Sequence, residues 1–280
     1  MLDGIPMTPN TLSPHSLTTT AADHSAPDNL LRSLQDWARL QPFVSLRLLG
    51  AQTLTPETQS ASGKAIITYV LAGEADFADS TGKRSRLSKG GWAWVIAGSG
   101  VGYSIAPLSG DFAAIEVCIA LSPALENAPA QSTYLDSAAT APSDPVQVLI
   151  GWHDKQRSQF AIPSQVNYLV VRLNAHQRWC YELPLNHQFA WVALVSGRVY
   201  TGAGELLPQA VTRILRPTDK IDVLAQESSV LVLGSSMEFG YDLVFHEGSV
   251  HTSREALQAG LQGRNSAATL LAQTASLTGE

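Results

Sequence analysis

Cysteine is nearly absent. Cys118 and Cys180 are the only two in 280 residues, they fall in strand-like apolar runs, and they form no Cys-x-x-Cys pair. That usage argues against a disulfide framework and for two buried, inert thiols in a reducing compartment. Charge is also scarce: Asp, Glu, Lys and Arg make up 15% of the chain and leave a net charge of −6. With no basic surplus, broad attraction to a phosphate backbone or an anionic membrane is missing, so neither nucleic acid nor membrane is an expected partner. Asp3, Pro6 and Pro9 interrupt the first residues before an export-type apolar segment can form, and a cytoplasmic protein is expected. Histidines are few and scattered, at positions 15, 24, 153, 176, 187, 246 and 251. No pair among them has the spacing of a helical zinc site. The nucleophile-elbow pattern Gly-x-Ser-x-Gly is lacking too; Gly98-Ser99-Gly100 reads as a tight turn between strands, and Gly202-Ala203-Gly204 lacks the helix that a phosphate site needs.

What is present is apolar, at 45% of residues, and arranged in short strand-like runs. Residues 1–28 are polar, Pro-rich and free of aromatics, which reads as a disordered tail. Asp28 then caps a short helix ending before Pro42. From residue 43, strands are expected at 43–49, 65–71, 75–78, 92–96, 101–105 and 112–121, with Asp79-Ser80-Thr81-Gly82 as a hairpin turn. An Ala, Ser and Pro-rich stretch over 122–145 reads as a surface linker. A second strand series follows, at 146–150, 166–173, 178–183, 189–195, 199–200, 210–215, 220–224 and 229–233. Its Val192-Ala193-Leu194-Val195-Ser196-Gly197-Arg198 echoes Thr68-Tyr69-Val70-Leu71-Ala72-Gly73-Glu74, as an internal repeat would. Thr252-Ser253-Arg254-Glu255 reads as a capping box opening a short helix, and a second tail is expected over 265–280.

The frame Ala65-Ile66-Ile67-Thr68-Tyr69-Val70-Leu71-Ala72-Gly73-Glu74, with Trp92-Ala93-Trp94-Val95-Ile96-Ala97-Gly98-Ser99-Gly100 and the closing Ser249-Val250-His251-Thr252-Ser253-Arg254-Glu255, resembles the pirin family. The resemblance runs from about residue 43 to 262. It implies an all-β bicupin: two jelly-roll cupin barrels, over residues 29–121 and 146–264, the latter carrying a short C-terminal helix. In that family, histidines in a His-Pro-His-Arg-Gly segment before the Thr-Tyr-Val-Leu strand, and a His-Ser-Glu after the glycine turn, hold one iron-type metal. Counted along this chain, the four ligand places hold Gln59, Ala61, Tyr103 and Ile105. Ala61 and Ile105 carry no ligand atom, Gln59 is a weak neutral donor, and Tyr103 would need to lose its phenolic proton. No metal and no cofactor are therefore expected.

The emptied places form a candidate ligand pocket: Gln59, Ala61, Tyr103, Ile105 and their neighbour Glu116. Strand alternation sets Glu116 and Cys118 on one face and Ile115, Val117 and Ile119 on the other, and apolarity leaves open which face is inside. In the second series the corresponding places hold Leu183, Leu185, Leu231 and Leu233, which bind nothing, and His187 reads as a hydrogen-bonded structural or surface residue. Trp92, Trp94, Trp179, Tyr181 and Trp191 read as core and inter-barrel packing. No catalytic residue is assigned. The resemblance implies a metal-free regulatory or binding protein engaging a protein partner or small molecule; the alternative is a quercetinase-like dioxygenase or another enzyme with a non-standard site in the first barrel.

Overall fold

The computed structural model describes residues 18–20, 40–52, 54, 58–137, 145–160, 165–202, 204–208, 211–214 and 220–277. In the N-terminal half, a five-stranded antiparallel sheet runs in the order Gln131–Leu135, Trp92–Ile96, Lys64–Ala72, Ala113–Ala120 and Phe43–Gly50. It faces a four-stranded sheet ordered Gln59–Ala61, Val101–Pro107, Glu74–Asp79 and Arg84–Ser88. The C-terminal half repeats the plan. Its large sheet is Thr18–Thr20, Val211–Ile214, Phe189–Ser196, Ser229–Ser236, Val166–Leu173 and Val146–Ile150; its small one is Arg178–Glu182, Lys220–Ala225, Val199–Thr201 and Gly204–Glu205. Each half is thus a two-sheet jelly roll, not a cylinder closed by hydrogen bonds, and the all-β bicupin expectation holds.

The continuous apolar runs are strands buried on both faces. In Lys64–Ala72, Ala65, Ile67 and Tyr69 join a core shared with Tyr168, Val170, Trp191 and Val232 of the other half. Ile66 and Val70 turn instead into the interior of the N-terminal jelly roll. The large sheets therefore pack against each other, and Phe43 meets Trp191 edge-on at 5.2 Å between ring centroids. Tyr69 also donates from its hydroxyl to Gln147 Oε1 at 2.9 Å, a buried polar contact across this shared core.

The repeat is visible in detail. Gly73 and Gly197 take φ of 65° and 88°, and a Cβ on either would lie 2.3 Å from a serine hydroxyl, Ser109 and Ser229 respectively. The next amide donates to that same hydroxyl, Glu74 to Ser109 at 3.2 Å and Arg198 to Ser229 at 3.1 Å. Both positions require glycine for the left-handed turn and for the close approach.

Several expectations need correction. The helix after Asp28 and most of the first tail lie outside the described residues, but Thr18–Thr20 pair with Val211–Ile214 as an edge strand. The 122–145 stretch supplies an edge strand, Gln131–Leu135, paired with Trp92–Ile96, and is more than a linker. The terminal helix runs over Arg254–Leu277, through most of the expected tail, because Leu257, Arg264 and Leu271 fall on one buried face seven residues apart. It packs on strands of the N-terminal jelly roll, and Phe239 and Val250 join that unit's core, so the chain's last part returns to its first half. Ser253, not Thr252, caps the helix, accepting from the Ala256 amide at 3.1 Å. The Thr252 amide donates to Glu126 Oε2 at 2.6 Å, in place of the expected Glu255. Cys180 is exposed, since Trp179 and Tyr181 take the inward side of their alternating strand.

Candidate functional site

Strand register assembles the N-terminal site. Gln59 and Tyr103 lie directly opposite each other on Gln59–Ala61 and Val101–Pro107. Arg47 and Glu116 lie opposite each other on Phe43–Gly50 and Ala113–Ala120 of the facing sheet. Ile115, Val117 and Ile119 join the core between the two halves, which sends Glu116 and Cys118 inward, into the N-terminal jelly roll. There Arg47 donates from Nε and Nη2 to Glu116 Oε1, at 3.0 and 2.5 Å. Nη2 also reaches Gln59 Oε1 at 3.1 Å, and the Tyr103 hydroxyl donates to the same oxygen at 2.9 Å. One guanidinium thus ties the two sheets together.

Of the five residues expected to form the pocket, Gln59, Tyr103 and Glu116 converge. Ala61 sits in the same apolar cluster as Tyr103. Ile105 lies opposite Phe77 in a separate cluster and takes no part. Arg47 was missed by sequence reasoning; its only signal is that it is the single charged residue of the strand Phe43–Gly50.

The electrostatics keep Arg47, Tyr103 and Cys118 protonated. Glu116 holds the Arg47 guanidinium above its already high range. Burial, reinforced by Glu116, drives the Tyr103 phenol well up, and burial raises the Cys118 thiol. The remaining anionic donor is Glu116, which is 1% exposed and whose Oε2 has no partner among the described residues. A neutral phenol, a neutral thiol, an amide oxygen already accepting two hydrogen bonds and a fixed cation do not fit an iron-type ion. No group of three His, Cys, Asp or Glu side chains converges among the described residues.

A second cluster has the residue types of a serine relay. Ser62 Oγ lies 2.9 Å from His251 Nε2, and His251 Nδ1 lies 3.4 Å from Glu126 Oε2 without forming a hydrogen bond. Ser62 and His251 have no exposed surface, and Glu126 spends both its oxygens on Thr252. With no route for a substrate, the cluster is a latch that seats the start of the terminal helix. Burial lowers the His251 pKa, opposed by Glu126.

In the C-terminal jelly roll, Leu183, Leu231 and Leu233 are buried in the apolar core, and Leu185 stands fully in solvent. His187 is buried and hydrogen-bonded, its Nδ1 lying 2.8 Å from Ser235 Oγ. Sequence reasoning missed the open cleft beside it. Two adjoining cavities of about 330 and 690 Å³ share Trp152, Asn167 and Asn186, and both are within the range of small-molecule sites. Tyr181 lines the larger one and stacks on His153 at 5.7 Å, while Trp179 lies tilted against His153 at 5.8 Å.

The pirin family model matches residues 28–114. Quercetin 2,3-dioxygenase from Acinetobacter baumannii superposes with a TM-score of 0.73 at 16% identity, over 84% of this chain and 88% of that one. GK1651 from Geobacillus kaustophilus gives 0.64 at 18% identity, over 81% and 96%. YhhW from Escherichia coli gives 0.60 at 14% identity, over 72% and 84%. At such identities the structural likeness speaks for the fold alone. No curated protein sequence matches the chain. The chain thus carries the pirin sequence pattern over residues 28–114 and shares the two-jelly-roll bicupin fold with these structures over most of its length.

Proposed function

We propose that this bicupin is a metal-independent binding protein, regulatory in role, engaging a small molecule or a protein partner and lacking quercetin-cleaving activity. The observation that carries this reading is the Arg47 guanidinium, which fills the space between Gln59 and Glu116. An iron-type ion in such a barrel offers open coordination positions and a change of oxidation state. A guanidinium offers neither; it supplies fixed positive charge and directed N–H donors, suited to holding an anion or an acceptor group. Its acidic balance keeps direct nucleic acid contact out of this reading, and the cytoplasm is the expected compartment.

Metal analysis of protein purified without a histidine tag tests it. The expected result is iron, nickel and manganese well below one equivalent, with a melting temperature that chelator does not change. One equivalent of a transition metal that returns after chelation, together with a fall in melting temperature when it is removed, would establish the enzyme reading instead. That alternative rests on the unpartnered Glu116 Oε2.

A further inference from the structure

His187 closes a turn in which its amide donates to the Pro184 carbonyl at 2.9 Å, and its ring is buried, with the residue 3% exposed. The hydrogen-bond chain behind it has one direction in which every hydroxyl proton meets an acceptor. Asn167 Oδ1 accepts from the Trp152 amide at 3.0 Å, which fixes the side-chain amide so that Nδ2 donates to the Tyr181 hydroxyl at 3.1 Å. Tyr181, already accepting, sends its proton to Ser235 Oγ at 2.7 Å. Ser235 in turn has His187 Nδ1 as its acceptor at 2.8 Å. Each hydroxyl carries one proton, so the neutral imidazole bears its own at Nε2. No described residue accepts from Nε2, and His187 lines the 330 Å³ cavity. A donor without an acceptor among the described residues is thus placed on the cavity wall.

The walls around that donor combine apolar side chains with the polar Ser158, Gln165, Asn167 and Asn186. Ile150, Trp152 and Phe160 line the cavity; Trp152 is half exposed, and Phe160 is braced against Trp94 at 5.4 Å and Trp92 at 5.0 Å. Arg157 is the lining residue with a fixed charge, and it makes no ion pair among the described residues. The acidic groups of the cleft, Asp154 and Glu182, belong to the larger neighbouring lobe, where Glu182 is already paired with Lys220. Ile150 and Val166 of the cavity wall also belong to the core between the two jelly rolls, a common setting for ligand sites.

We propose that this cleft binds a small planar aromatic carboxylate, its ring against Trp152 and Phe160, one carboxylate oxygen accepting from His187 Nε2 and its charge offset by Arg157. The site is separate from the Arg47–Glu116 cluster and stands whether or not that cluster's metal-free reading holds.

Calorimetric titration of the full chain with 2-naphthoate, and with the neutral 2-naphthamide, tests the assignment. The expected result is saturable binding of one naphthoate, with the amide weaker. Arg157→Ala should weaken naphthoate at least tenfold while leaving the amide unchanged, and Trp152→Ala should weaken both. Both substitutions are at exposed positions, so these variants keep the test open where His187→Phe, expected to abolish binding, fails to fold. Glu116→Gln and Tyr103→Phe should bind naphthoate as the parent does. No saturable binding, or parent-like affinity in both Arg157→Ala and Trp152→Ala, overturns the proposal; so does loss of binding in Glu116→Gln or Tyr103→Phe, which would move the ligand to the N-terminal site.

Discussion

At the scale of the residue, Arg47 and Glu116 are not equivalent partners. The Arg47 side chain keeps 31% of its surface in solvent and that of Glu116 keeps 1%, so each loss leaves a different problem. Arg47→Met strands a buried carboxylate, which must take up a proton or remain charged without a cation; about 3 kcal/mol of stability should go, most of it recovered at acidic pH. Glu116→Gln leaves a partly solvated guanidinium with an amide acceptor and should cost about 1 kcal/mol. Urea unfolding at pH 7 and pH 5 checks both the order and the pH response.

His187 makes a second prediction at this scale. Burial lowers its pKa to about 4, below the ordinary imidazole value of about 6.5 in the unfolded chain. Between those values the unfolded state binds the proton that the folded state refuses. Stability from this residue is intact above pH 6.5 and falls as pH drops, by about 2 kcal/mol between pH 7 and pH 5. His251, lowered by burial as well, adds in the same direction. His187→Gln should flatten the urea midpoint against pH over this interval, leaving the smaller slope due to His251.

At the scale of the element, the terminal helix is seated by close approach. A Cβ at Gly260 would lie 2.2 Å from His251 Nε2 and 2.7 Å from Ser62 Oγ. Gly260→Ala improves intrinsic helix propensity by about 1 kcal/mol, yet it should lower the urea midpoint, because the latch of Ser62 and His251 has no room to move. A raised midpoint would mean the helix docks less tightly than described.

Elements were also where the sequence was most readable. Apolar runs such as those at 65–71, 166–173 and 229–233 gave the central strands, because strands buried on both faces leave a continuous signal. The glycine echo at Gly73 and Gly197 gave the repeat. Short polar edge strands such as Gln59–Ala61 and Gln131–Leu135 carry no such signal, since sheet pairing rather than side-chain type defines them. For the site, counting from a familiar motif found Gln59 and Tyr103. Arg47 escaped because it acts through cross-strand register with Glu116, and nothing in the spacing of residues 47 and 116 announces that pairing. The C-terminal cleft escaped for a similar reason: His187, Ser235, Asn167 and Tyr181 come from four separate segments.

At the scale of the whole molecule, the two jelly rolls share one core. Trp191 and Tyr168 from one half and Tyr69 and Ile115 from the other are fully buried in it, so neither half keeps its apolar face covered when the other unfolds. Urea denaturation should therefore show one transition, coincident by tryptophan fluorescence and far-ultraviolet circular dichroism. Trp191→Ala should shift both signals together, by about 3–5 kcal/mol. Two separated transitions would mean independent units.

The same architecture places Phe43–Gly50 and Gln59–Ala61 in facing sheets, which is how one arginine spans the N-terminal interior. Anomalous diffraction from crystals grown with nickel(II) tests that arrangement most directly. The account predicts density for the Arg47 guanidinium within hydrogen-bonding distance of Gln59 and Glu116, and no anomalous peak between the sheets. A nickel peak ligated by Gln59, Tyr103 or Glu116, with Arg47 swung away, would contradict it.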